Sequence, residues 1–281
     1  MSVVLPPEAV TLKADSVPGT PPTLETEGST PLPAPTLFHT AKRETREFVK
    51  TVAFALVIAF VVRTFLYQPF NIPSGSMIPN LLVGDYLFVN KFAYGYSNLA
   101  TFMGFLPFKG RLFGAPPQRG DIIVFKLPSD TSTDYIKRLI GVPGDRVQMR
   151  EGRLYINDQE IPRELQAVTP PLSPLWGGRA TETYVETLPN GVRHLIQEEG
   201  DDRPLDSTPV FEVPPGHYFF MGDNRDNSRD SRTDLVGFVP AENLVGRASF
   251  LFFSLHDGTH AWEFWTWPWT IRWDRLAKTV T

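Results

Sequence analysis

The chain has 281 residues, enough for one sizeable core or two modest ones. Its net charge of −4 gives no support to nucleic-acid binding, and 27 prolines and a 12% aromatic share stand out in its composition. It has no cysteine, which excludes disulfides, thiol catalysis and cysteine-ligated zinc or iron–sulfur centres.

Residues 1–42 are rich in Pro, Thr, Ser and Glu ("VPGTPPTLETEGSTPLPAPT") and lack hydrophobic periodicity. Such a segment cannot bury enough apolar surface to offset its ordering entropy, so a disordered tail is expected. It does not read as a secretory signal, because no basic start followed by an apolar run stands near Met1. The next stretch, "AKRETREFVKTVAFALVIAFVVRTFLYQPF", is uncharged from Thr51 to Val62 and apolar again after Arg63 as far as Phe70. As a helix, Thr51–Phe70 would be about 30 Å long, the thickness of a bilayer core. A single membrane anchor is therefore expected within residues 43–70, with Arg63 snorkelling to the headgroups. Lys42, Arg43, Arg46 and Lys50 precede the span, and after Arg63 the next basic residue is Lys91. The positive-inside rule then puts the tail in the cytoplasm and the rest of the chain outside.

Beyond Phe70 the sequence is β-rich: "DYLFVNKFAYGY", "DIIVFKL", "DYIKRLIGV", "HYFFMGD" and "ASFLFFSL" are β-branched or aromatic runs bounded by Gly, Pro or Asp. "DRVQMREGRLYIN" reads as a hairpin turning at Glu151-Gly152. The proline-rich residues up to 215, with turn signals at Gly177-Gly178 and Asn190-Gly191, read as an inserted lobe. No convincing helix follows Phe70, so an all-β, partly closed and irregular assembly is expected. Five of the six tryptophans lie between Trp262 and Trp273 in "WEFWTWPWTIRW". Pro268 argues against a regular element there, and tryptophan favours the boundary between water and lipid, so residues 261–281 are expected at the membrane surface.

Several chemistries are missing. There is no Gly-x-Ser-x-Gly elbow, no His-Glu-x-x-His and no phosphate-cradling glycine loop. His256 and His260 lack an acidic partner at metalloprotease spacing and read as loop residues, so no metal is expected. In "GDNRDNSRDSR", residues 222–232, arginines at 225, 229 and 232 would repel a calcium ion. The alternating acids and arginines read as an internally paired loop that could hold a site rigid.

Two stretches can carry chemistry. In "IPSGSMIP", residues 72–79, two serines flank a glycine and are fenced by prolines directly after the apolar span. In "DYIKRLIGVPGD", strand alternation places Lys137 on the face of Tyr135 and Leu139. A lysine on an apolar face loses solvation, and its pKa falls toward about 7–8, where it can act as a general base. Lysine is a recognised substitute for histidine in activating a serine hydroxyl.

Taken together, "PSGSMIPNLLVGDYLFVNKFAYG", "RGDIIVFKLP", "DYIKRLIGVPGDRV" and "GDNRDNSRDSR…VGFVP" resemble the ordered motif set of bacterial type I signal peptidases. These are membrane-anchored Ser-Lys endopeptidases that remove signal peptides from exported preproteins. The resemblance implies Ser76 as nucleophile and Lys137 as general base, with Ser74 and the Ser76 backbone N–H forming the oxyanion hole. It implies that Ser228 orients the lysine, supported by Asp230 and Arg232. Ile72, Pro73, Met77, Tyr135 and Ile136 would line a cleft for small residues, Ala-x-Ala, before the cut. One departure is Asn80, where a threonine is expected. The fold implied is a catalytic domain of coiled antiparallel β-sheets, residues 71–150 and 216–260, with a smaller β lobe, residues 151–215, inserted. No cofactor is implied. The partners would be signal peptides delivered by the secretion machinery and the lipid bilayer, with the catalytic domain outside the bacterial cytoplasmic membrane. Two other readings are soluble self-cleaving repressors and a non-catalytic envelope module. The span before Ser76 argues against the first, and the presence of Ser76 and Lys137 against the second.

Overall fold

The computed structural model describes residues 37–100, 110–170, 179–256, 258–259 and 262–280, with backbone alone for 37–43. The expected tail through residue 36, the Gly177-Gly178 turn and His260 lie outside these residues. By internal contacts the chain divides into two units, Met1–Thr51 and Val52–Thr281.

Helix α1 covers Leu37–Val61 and passes into a π-helical turn over Val62–Leu66. In the first unit Lys50 pairs with Glu47 at 2.8 Å, and Thr51 Oγ1 donates to the Glu47 carbonyl at 2.9 Å. In the second, Phe54, Leu56, Val57, Ile58, Phe60 and Val61 are all exposed, so the helix is not part of a protein core. The stretch Glu44–Leu66 is 23 residues of apolar helix. At about 1.5 Å per residue it is long enough to cross a bilayer. The helix ends earlier than the apolar composition suggests, because Tyr67–Asn71 form strand β1. Pro69 has no N–H to continue a helix and forces Gln68 toward extended backbone. The helical length comes instead from the N-terminal side, Glu44–Lys50.

After β1 come β2 (Asp85–Asn90), β3 (Ile122–Leu127), β4 (Asp130–Gly141), β5 (Arg146–Arg150) and β6 (Arg153–Ile156). The chain continues through β7 (Gln159–Glu160), β8 (Arg163–Thr169), β9 (Thr181–Thr187) and β10 (Arg193–Glu198). It then forms β11 (Phe211–Glu212), β12 (His217–Met221), β13 (Val239–Pro240) and β14 (Leu244–Ser254). Three antiparallel sheets result, ordered β1-β2-β14-β3-β4-β12-β13, β10-β9-β8 and β11-β5-β6-β7. Among the described residues none closes into a barrel, so the fold is all-β with one apolar N-terminal helix.

β3 explains the depth of the main sheet. Its apolar run is buried on both faces: Ile122 and Val124 join a cluster with Ile72, Met77, Leu87 and Leu251. Ile123, Phe125 and Leu127 join a second with Leu139 and Phe220. A continuous apolar strand is what a sheet covered on both sides requires. A third cluster joins Ile140, Phe219 and Met221 of the main sheet to Val147, Met149, Leu154 and Ile156 of the four-stranded sheet. Glu151-Gly152 forms the expected two-residue hairpin turn, with Arg150 opposite Arg153 and positive φ of 47° and 73°. Two left-handed residues match the right-handed twist of the flanking strands.

The aromatic C-terminal stretch is more regular than its proline suggests. A 3₁₀ turn at Phe264–Thr266 leads into the short helix α2, Trp267–Thr270. Pro268 sits in the first helical turn, where a missing N–H costs nothing.

Candidate active site

Beyond β1 the chain stays pinned to β2: Ile72 N donates to Asp85 O at 2.8 Å, and Gly84 N to Ile72 O at 3.0 Å. Ser74 is extended, and Gly75–Met77 then make one 3₁₀ turn closed by Ile78 N donating to Gly75 O at 3.1 Å. Ile72 and Met77 sink into the core on either side of the turn, so Ser76 is held between two buried anchors. A Cβ built on Gly75 meets only the Ile78 side chain, leaving the approach to the turn otherwise open.

Lys137 faces this turn from β4, where it stands opposite Ile123 of β3. Its Nζ donates to Ser76 Oγ at 2.6 Å and to Ile136 O at 3.0 Å, and lies 5.4 Å from the centre of the Tyr135 ring. The shared face with Tyr135 is the one strand alternation assigns. Lys137 is 4% exposed. Burial lowers its pKa to about 8, against the opposing pull of Asp230 and Asp223. An amine with that pKa is neutral about one time in ten near pH 7, and then has a free lone pair.

The loop after β12 grips the serine turn. Gly222 lies between Ser76 and Ser228: a Cβ there would stand 2.3 Å from Ser228 Oγ and 2.6 Å from Ser76 O. Asn224 N donates to Ser76 O at 3.2 Å, and its side-chain amide to Gly75 O at 3.2 Å. Asp230 accepts from Gly222 N at 2.9 Å and takes a two-pronged ion pair from Arg232, both contacts at 2.9 Å. Burial pushes the Asp230 carboxyl up, but the Arg232 guanidinium, the Gly222 N–H and Ser228 together outweigh it and the net shift is downward.

Asp230–Arg232 is internal to the loop, as expected, but Asp223 and Arg225 are braced outward. Asp223 takes Arg138 of β4 at 2.8 and 2.9 Å and the Asn80 amide at 2.7 Å. Arg225 clamps Glu186 of β9 at 2.8 and 2.5 Å. The reason is burial: Asp223 and Arg225 are each 1% exposed, and the strands packed against them supply the counter-charges. Ser228 is buried, yet no hydrogen bond joins its hydroxyl to Lys137 in this structure. The lysine's bonds go to Ser76 and Ile136 instead.

In front of the two residues lies a cleft of about 340 Å³, lined by Pro73, Ser74, Ser76, Tyr135, Ile136 and Lys137, with Asp134, Asn227 and Arg229 also at its walls. A second cavity of about 220 Å³ shares Pro73, Asp134, Tyr135 and Ile136 and is completed by Phe70, Asn71, Ile72 and Val124. Ser74 is exposed toward the first. Met77 lines neither; it is fully buried and supports the turn from beneath. β12 pairs with β4 only from Arg138 to Gly141, so among the described residues Tyr135–Lys137 beside the cleft are paired on the β3 edge alone. Among the described residues no group of three His, Asp or Glu side chains is disposed to hold a metal ion.

Asn80, Arg138, Asn224 and Glu186 are contributors for which the sequence reading gives no role. Asn80 shows in the sequence only as a departure from the expected threonine, Arg138 and Asn224 only as members of marked stretches, and Glu186 carries no local signal.

The family described as signal peptidase, peptidase S26, matches residues 45–253. The signal peptidase I of Rickettsia canadensis (strain McKiel) is 45% identical over 225 residues, covering 77% of this chain and 82% of the relative. That of Rickettsia conorii (strain ATCC VR-613 / Malish 7) is 46% identical over 224 residues, covering 76% and 80%. A solved signal peptidase I from Enterococcus faecalis V583 aligns with 47% of this chain and 97% of its own at 30% identity, with a TM-score of 0.28.

Proposed function

Because the chain belongs to the signal peptidase family, peptidase S26, and is a serine endopeptidase of that family, we propose that it removes signal peptides after Ala-x-Ala with Ser76 as nucleophile and Lys137 as general base. The observation that carries this reading is the 2.6 Å hydrogen bond between Lys137 Nζ and Ser76 Oγ in a buried setting.

Once neutral, the Lys137 amine accepts the Ser76 hydroxyl proton as the oxygen attacks the scissile carbonyl carbon. The developing oxyanion takes hydrogen bonds from the Ser76 backbone N–H and the Ser74 hydroxyl, and each such donor is worth about 10²–10³ in turnover. The Lys137 ammonium returns its proton to the leaving amine, which frees the mature chain and leaves the signal peptide as an ester on Ser76. The neutral amine then activates the water that hydrolyses the ester. Asp230 with Arg232, and Asp223 with Arg138, fix the surroundings of the lysine, while Ser228 stands behind Gly222 as part of that support.

The substrate adds as an extended strand beside Tyr135–Lys137, whose edge β12 leaves unpaired. Its residues next to the cut enter the cavities of about 340 and 220 Å³ against Pro73, Ile136 and Ile72. The exposed apolar helix Glu44–Leu66 anchors the protein in the bacterial cytoplasmic membrane, single-pass, with the tail inside and the catalytic domain outside. The exposed Trp262, Trp265, Trp269 and Trp273 contact the lipid, where the secretion machinery presents signal peptides.

The test is cleavage of an alanine-site preprotein by the purified chain in detergent, followed by N-terminal sequencing of the product. Cleavage directly after Ala-x-Ala, lost when the last alanine becomes phenylalanine, supports the reading. Equal cleavage of both substrates contradicts it.

A further inference from the structure

The C-terminal segment lies beyond the family match, which ends at residue 253, yet it is built into the underside of the Ser76 turn. Arg275 donates to both oxygens of Asp85, Nε to Oδ1 at 3.0 Å and Nη2 to Oδ2 at 2.5 Å, and Nη2 also donates to the Asn80 carbonyl at 2.9 Å. Asp85 is fully buried and also accepts from Leu82 N at 2.8 Å and Ser254 Oγ at 2.7 Å. Arg272 donates to Val83 O at 2.9 Å, and Leu255 N donates to Gly84 O at 2.9 Å. Val280 packs in the same apolar cluster as Ile72 and Met77.

Asn80 is the junction. Its carbonyl takes Arg275, while its amide donates to Asp223 at 2.7 Å, and Asp223 is paired with Arg138 beside Lys137. Both contacts converge on Asn80, just past the serine turn: Asp223 holds it from the lysine side and Arg275 from below. A displacement of about 1 Å between a nucleophile and its base can cost about 10²-fold in rate.

We propose that Arg275 is a positioning residue for the cleavage reaction, setting the place of Ser76 relative to Lys137 through Asp85 and Asn80. The proposal rests on the Ser76–Lys137 reading. It assigns a role in turnover to a segment otherwise marked only by its tryptophans.

The test compares full-length wild type, Arg275→Met and Asp85→Asn/Arg275→Met in detergent with a preprotein substrate. Arg275→Met is expected to lower kcat by about 10–100-fold with KM within about twofold, since the cleft itself is untouched. The double variant also removes the buried carboxylate, whose remaining cation would be Arg272 at 3.8 Å, and is expected to fold and to regain part of the loss. Unchanged kcat in a folded Arg275→Met protein, or a loss confined to KM, overturns the proposal. If the single variant does not fold, wild-type kcat in the double variant overturns it equally. Cleavage by Ser76→Ala would instead remove the reading on which it rests.

Discussion

Lys137 Nζ lies 2.6 Å from Ser76 Oγ, across 61 residues of sequence, with the lysine buried at the wall of the cleft. The contact is made by two separately anchored elements, the 3₁₀ turn at Gly75–Met77 and strand β4. In the proposed mechanism its chemistry depends on the lysine losing its proton.

That dependence sets the pH profile. Burial lowers the Lys137 pKa to about 8, so the reactive neutral form accumulates as pH rises. The ratio kcat/KM is expected to climb about tenfold per pH unit below that value and to level off above it. A profile flat from pH 6 to 9, measured with an uncharged peptide substrate, would show that Lys137 is not the titrating base.

The same shift has a cost in stability. The folded pKa of about 8 lies below the ordinary 10.5, so between these values the unfolded chain binds more protons and stability rises with pH. Below the folded value the full penalty is present, on the order of 3 kcal/mol. Lys137→Met should therefore be inactive yet melt higher than wild type at pH 7, with the advantage shrinking from pH 8 upward. Equal melting temperatures at pH 7 would contradict the burial of a charged amine.

Asp230 acts on both stability and chemistry. Asp230→Asn leaves buried Arg232 without its counter-charge and should destabilise the protein by about 3–5 kcal/mol in urea denaturation. It also removes a negative charge that raises the Lys137 pKa. The midpoint of the pH profile should consequently move to lower pH. A shift to higher pH would reverse the assigned electrostatics.

Gly222→Ala is a steric test. The added methyl would stand 2.3 Å from Ser228 Oγ and 2.6 Å from Ser76 O, so the serine turn must move away. Turnover should fall by about 100-fold while the protein stays folded by circular dichroism. Wild-type turnover would mean that Ser76 is not held through this contact.

Much of this arrangement is written locally in the chain. Ser76 and Lys137 stand in conspicuous patterns, and strand alternation puts Lys137 on the Tyr135 face it occupies. Glu151-Gly152 is a hairpin signal whose geometry follows from two residues. Other features depend on distant partners. Arg138 meets Asp223 across 85 residues and Arg225 meets Glu186 across 39, and no short pattern predicts which buried charges will adjoin. Met77 belongs to the serine motif, but membership does not say that its side chain points into the core rather than the cleft. The helix ends before its apolar composition does: that composition runs on through Tyr67–Phe70, whereas Pro69 and pairing with β2 decide the backbone.

The most direct measurement is cleavage of one alanine-site preprotein by wild type, Ser76→Ala and Lys137→Ala, each purified in detergent and shown to be folded. Loss of all detectable processing in both variants is the expected result. Processing retained by either folded variant would contradict the Ser-Lys mechanism.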